Sequence, residues 1–172
     1  MPGSWSRRGS PLSLHSDKAD GEQAAGEGLA LYRSTGSKWA LPFWLGSYAG
    51  VQRQGPDNGI AAVQEALVEV EATGERWYEA ELYRLRGDSA WCGPNHDDRG
   101  AEIDFHTALR IAAEQGARLL ELRAATSLAR LWGEQGRRGR ARDLLAHVYG
   151  WFTEGFDTAD LKDAKALLDQ LA

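Results

Sequence analysis

Apolar residues recur along this chain at steps of three and four, the spacing that gathers side chains onto one helix face. The pattern is clearest over residues 114–156. Leu119, Leu122, Ala125, Ala129 and Trp132 form one stripe, and Ala141, Leu144, Leu145, Val148 and Phe152 form another. Gly136 and Gly139 punctuate the interval between them, as glycine does just past a helix end. The stretch therefore predicts a pair of helices joined by a short turn. Upstream, Ile60, Val63, Leu67 and Val70 are interleaved with Glu65, Glu69 and Glu71. They predict an amphipathic helix that follows a turn at Gly55, Pro56, Asp57, Asn58 and Gly59 and stops at Thr73 and Gly74. Pro42 is tolerated only near a helix start, so the preceding helix is expected to begin around Leu41.

The remaining segments follow the same reading. A helix is predicted over 77–89, with Glu79 and Glu81 leading and Arg84 and Arg86 following, the order that suits the helix macrodipole. Residues 101–115 continue with Ile103, Phe105, Ala108, Leu109 and Ala112, and Asp157 or Thr158 is expected to cap a last helix bearing Leu161, Ala164, Leu168 and Leu171. A weaker helix is expected over 18–34, because Gly21, Gly26 and Gly28 each cost about 1 kcal/mol against alanine. Gly46 and Gly50 predict a smooth face for close helix packing. Residues 90–100, AWCGPNHDDRG, break every period and predict one irregular loop, and residues 1–17, rich in Ser, Pro, Gly and Arg, predict a disordered tail.

Three helix boundaries resemble one another: STGSKW, ATGERW and EQGARL, with Gly36, Gly74 and Gly116 spaced 38 and then 42 residues apart. A period in that range built from paired helices is the mark of an α-solenoid, whose units share the apolar faces they cannot bury alone. In the last unit Trp132, Gly136, Ala141 and Leu145 match the tetratricopeptide pattern: an aromatic between the paired helices, a glycine at the turn and a small residue for close approach. The segments ATGERWYEAELYRLRGD and EQGARLLELRAATSLARLWGEQGRRGRARDLLAHVYGWFTEGFDTADLKDAKALLDQL resemble the C-terminal tetratricopeptide-like region of large bacterial proteins that combine a nucleotide cyclase-like domain with an AAA-type ATPase module. ALPFWLGSYAG looks like a diverged earlier repeat, so the resemblance spans about 28–172. The loop after Trp91 departs from that family's Ala- and Leu-rich continuation. The resemblance implies a cytoplasmic regulatory or protein-interaction array and supplies no active site, since no G-x-x-x-x-G-K-[ST] phosphate loop is present in this sequence. The expected fold is all-α: a tetratricopeptide-like helical-hairpin solenoid, winding as a right-handed superhelix. Its hairpins are expected at about 37–73, 77–115 and 117–152, with a capping helix at 158–171, all within one domain over 18–172.

Composition narrows the function. With 42% hydrophobic and 26% charged residues the chain is globular, and its formal charge of −5 weighs against nucleic acid as a partner. One cysteine excludes an intramolecular disulfide, no apolar run reaches a membrane span, and Arg7 and Arg8 lack the apolar stretch of a secretory signal. A cytoplasmic protein, or a cytoplasmic piece of a larger one, is expected. Cys92, His96, Asp97 and Asp98 are the one metal-like cluster; without a second ligand pair they read as a solvated loop. No catalytic residue, metal or cofactor is predicted. His106 and His147 are expected at the surface. Arg137, Arg138, Arg140 and Arg142 read as a solvated turn, with an acidic peptide or phosphate as the functional alternative. Trp39, Trp77 and Trp132 are expected in the core, and Trp151, Phe152 and Phe156 as a clamp on the last helix. Trp5 and Trp91 have no core position and could anchor a partner.

The leading expectation is therefore a non-catalytic scaffold that binds a protein or peptide on a concave face lined by the first helices of the hairpins, with Tyr48, Arg84, Arg123 and Arg130 as its binding residues. Self-association through an exposed N-terminal repeat edge is a further expectation. Against it stand a fragment of a nucleotide cyclase or ATPase, a zinc-dependent hydrolase, and the sensory arm of a transcriptional regulator.

Overall fold

The computed structural model describes residues 15–51, 56–93 and 96–172. All regular structure among them is helical: α1 (His15–Ser34), α2 (Leu41–Val51), α3 (Pro56–Thr73), α4 (Glu79–Cys92), α5 (Asp98–Glu114), α6 (Arg118–Glu134), α7 (Arg138–Tyr149) and α8 (Ala159–Leu171). The all-α expectation holds. Each helix packs on the next in sequence. In addition α2 touches α4, α4 touches α6, and α6 touches α8, whereas α3, α5 and α7 do not touch one another. Even-numbered helices thus form one continuous row, backed by the odd-numbered helices on its other side.

The pairing repeats at the level of single side chains. Among the buried residues of α3, α5 and α7, one stripe on each repeats: Gly59, Val63 and Ala66; then Ala101, Phe105 and Ala108; then Ala141, Leu145 and Val148. Each triple has the same spacing of four and three, which keeps one helix stripe facing inward. A small residue comes first and a branched or aromatic one second. Gly36, Gly74 and Gly116 adopt φ of +71°, +75° and +65°, a left-handed turn that only glycine enters without strain. Gly46 allows the closest approach inside the even row. A Cβ there would lie 2.7 Å from Tyr78 Cε1 and 2.9 Å from Leu82 Cδ2, so its expected packing role is met.

Several boundaries differ from expectation. The predicted turn at 55–59 is largely helix, because Pro56 opens α3 from its first position, where its missing N–H costs nothing. Gly139 lies within the first turn of α7 rather than in the connection. Helix α4 runs on to Cys92, so Ala90 and Trp91 are not loop residues; both are half-buried against the C-terminal core. Of the expected irregular loop, Gly93, His96 and Asp97 are the described residues that lie outside helices. Helix α1 begins at His15, so the expected tail over 1–17 gives up its last residues to helix, and the rest of it, with Trp5, lies outside the described residues.

Trp132 is buried as expected, but Trp39 is 72% and Trp77 50% exposed. Both stand before their helices, three residues after a left-handed glycine, where a helical phase no longer governs direction. Phe152 joins the C-terminal core, while Trp151 and Phe156 are about half exposed.

Candidate interaction surface

The even-numbered row carries a chain of ion pairs. Arg84, on α4, donates from Nε and Nη2 to Glu81 at 2.9 and 2.7 Å, from Nη1 to Asp88 at 2.5 Å, and reaches Ser127 Oγ on α6 at 3.4 Å. Burial works to lower the pKa of this guanidinium, and Asp88 and Glu81 together overcome that and raise it. Glu81 also faces Arg123 of α6 at 3.7 Å, and Arg123 grips Asp160 of α8 at 3.1 and 2.9 Å. Arg130 pairs with Asp163, one turn further along α8.

Of the four residues expected to bind a partner, the structure therefore joins Arg84 and Arg123 through Glu81 and places Arg130 on the same helix as Arg123. All three are engaged with carboxylates of this chain. A guanidinium already holding a carboxylate in a two-pronged grip has few donors left for a ligand. Their evident role is to tie α4, α6 and α8 together. Tyr48 lies apart, in an open groove of about 320 Å³ that it lines with Gly26, Leu29 and Ala30 of α1, Ala61 and Ala62 of α3, and the Arg33–Glu65 pair at 2.5 Å.

The other candidate residues are accounted for locally. Asp97 caps α5 by accepting from the Gly100 N–H at 2.9 Å, and its own N–H donates to the Ala90 carbonyl. His96 Nδ1 sits 2.6 Å from the Trp91 carbonyl oxygen. Cys92 is exposed, and no group of three His, Cys, Asp or Glu side chains among the described residues converges on a point where a metal could sit. Within the arginine run, Arg137 donates to both oxygens of Glu102, Arg138 bonds the Gln170 carbonyl, and Arg140 lies 4.6 Å over the Trp132 ring.

An aromatic ledge emerges that periodicity did not reveal. Tyr32 contacts Trp44, Trp44 contacts Phe43, and Phe43 contacts both Trp77 and Tyr78, with ring centroids 5.1 to 5.7 Å apart. The series runs from α1 across α2 to the start of α4. It is not buried: Trp44 is 40% and Trp77 50% exposed, and Trp39, just before α2, is 72% exposed. Aromatic side chains in contact with one another yet partly open to water form a large rigid apolar surface of the type that dominates binding energy at interfaces. The signal in the sequence was the repeated Gly-x-basic-Trp at 36–39 and 74–77. Repetition was legible there; exposure was not.

Among the described residues no helix is long and apolar enough to cross a membrane. No family model, curated protein or solved structure matches this chain.

Proposed function

We propose that the chain is a non-catalytic scaffold whose helical hairpins form a tetratricopeptide-like solenoid and whose role is to hold a protein partner. The stacked row of even-numbered helices and the threefold buried pattern beginning at Gly59, Ala101 and Ala141 support the solenoid reading. The resemblance of 72–88 and 114–171 to the C-terminal repeats of bacterial cyclase and ATPase signalling proteins supports a regulatory setting in the cytoplasm. The observation that carries the binding role is the ledge in which half-buried Phe43 holds the exposed Trp44 and Trp77, with Trp39 exposed just before α2. The arginine chain of the even-numbered row supports it by tying α4, beside which part of the ledge stands, to α6 and α8.

The test is position-specific photo-crosslinking in whole cells. A crosslinker at Trp39 or Trp77 is expected to give a defined protein adduct, identified by its linked peptide. One at Lys162, on the exposed side of α8, is expected to give none. Equal, diffuse labelling from all three positions would overturn the reading.

A further inference from the structure

The chemistry around the ledge is lopsided. Helix α2, which carries Phe43 and Trp44, has no charged side chain at all. Helix α3 ends beside it with Glu69 and Glu71 and no base in its last turn, so acidic groups sit at the negative end of the helix dipole, an arrangement unfavourable for the chain itself. Glu75 follows and accepts from the Ala40 N–H at 3.0 Å, next to Trp39. Glu79 opens α4. Among the described residues, Lys38, 3.3 Å from Glu69, and Arg76, 3.0 Å from the buried Glu79, are the ion-pair partners of this group, which leaves Glu71 and Glu75 without a basic side chain in ion-pair contact.

The rings point the same way. Elsewhere in the chain aromatic faces are covered by arginine: Trp151 by Arg118 at 3.4 Å, Trp132 by Arg137 and Arg140 at 5.1 and 4.6 Å, and Tyr83 by Arg86 at 4.7 Å. Among the described residues no cation lies over Trp39, Trp44 or Trp77. A guanidinium over an open indole face gains cation–π attraction, and more so beside unneutralised carboxylates.

We infer that the ledge binds a basic peptide segment in which arginines alternate with apolar side chains. The apolar side chains pack on Phe43 and Trp77. The guanidinium groups lie over the exposed indoles and face the glutamates of α3 and its following turn. This rests on the proposed binding role and names the class of partner for that surface.

The probes are three 12-residue peptides in which leucine alternates with arginine, with glutamine or with glutamate, titrated calorimetrically onto the full chain at low salt and at 0.5 M salt. The arginine peptide is expected to bind at least tenfold tighter than the glutamine peptide, to weaken with salt, and to lose about tenfold on the Trp39→Ser/Trp77→Ser double variant. Glu71→Gln, an exposed change that leaves the rings in place, is expected to weaken it severalfold. Circular dichroism confirms that the variants remain folded. If the glutamine peptide binds as tightly, and the tryptophan variant abolishes it, the ledge stays an interaction surface and the basic partner is wrong. If the arginine peptide binds the double variant undiminished, it is responding to net acidity and the inference fails. A dimer that excludes all three peptides and dissociates in the double variant would make a second copy of the chain the occupant and overturn the inference.

Discussion

Ala40 has φ of +59°, a left-handed conformation that costs an L-residue about 1–2 kcal/mol. It is held there by its own burial and by the hydrogen bond from its N–H to Glu75, and it is the hinge that turns Trp39 outward while Leu41 turns in. Ala40→Gly should relieve the strain, offset in part by the greater freedom glycine gives the unfolded chain, for a net gain of at most about 1 kcal/mol. Thermal unfolding measures it; a loss of stability would show that the alanine methyl group contributes more through packing than its conformation costs. Exposure makes a second contrast at this scale. Trp39→Ser should shift stability by no more than about 0.5 kcal/mol, whereas Trp132→Ala should cost about 3–5 kcal/mol. Comparable losses from the two in urea titrations would contradict the burial described.

Between elements, the joints are polar as well as apolar. Glu102 on α5 accepts from Trp132 Nε1 at 2.7 Å and from both Arg137 nitrogens at 2.9 and 2.8 Å, which ties α5 to α6 and to the turn before α7. The Arg137 hydrogen bonds, opposed by partial burial and aided by Trp132, hold its carboxyl below the ordinary value of 4.5. A carboxyl depressed in the folded state stabilises it fully above that ordinary value and loses the contribution as pH falls through the folded one. Glu102→Gln should therefore destabilise the chain at pH 7 and progressively less below about pH 4.5. Denaturation curves from pH 7 to pH 3 that stay parallel for the two proteins would refute this. Helix α8 is tied on by Arg123–Asp160 and Arg130–Asp163 in addition to Leu161, Ala164, Leu167 and Leu171. Since these pairs are partly exposed, Arg123→Ala should cost about 1 kcal/mol and should raise amide exchange in α8 more than in α5. Gly87 is packed so closely on α5 that a Cβ would sit 2.6 Å from Phe105, so Gly87→Ala should cost about 1–3 kcal/mol.

At the scale of the whole molecule, the apolar core is divided. One cluster gathers Leu29, Leu45, Val63 and Leu82 from α1 to α4; another gathers Phe105, Leu122, Leu145 and Leu161 from α5 to α8. A small group of Ala80, Ile111 and Ala112 links α4 to α5. Helix α1 packs on α2 and contributes Leu29, with Leu31 left 70% exposed. Where each helix touches only helices one or two places away, stability is approximately a sum of local terms and neighbour interfaces. Native-state hydrogen exchange should accordingly rank α1 least protected and α6 most, with α1 to α3 opening at lower denaturant than α6 to α8. A single exchange isotherm shared by all helices would show one cooperative core instead.

The sequence by itself determined that the chain is helical, where most helices lie, and that units recur. Those properties follow from local causes: a three-and-four apolar period, proline confined to helix starts, and glycine at left-handed turns. Residues 101–171 were the most legible, because most of their apolar stripes are buried against a neighbouring helix, although Ile103 and Leu119, counted in those stripes, are exposed. Three things were decided only by tertiary packing. Trp91 became helical and half-buried because the C-terminal core had room beside Ala90, which no local period announces. Arg84, Arg123 and Arg130 became ties between helices, because carboxylates from α4 and α8, as far as 37 residues away, converge on them. Trp39 and Trp77 turned to water, because a residue between a left-handed glycine and a helix start takes its direction from the turn rather than from the helix. The ledge that Trp77 forms with Phe43 and Trp44 exists only once α2 and α4 lie side by side.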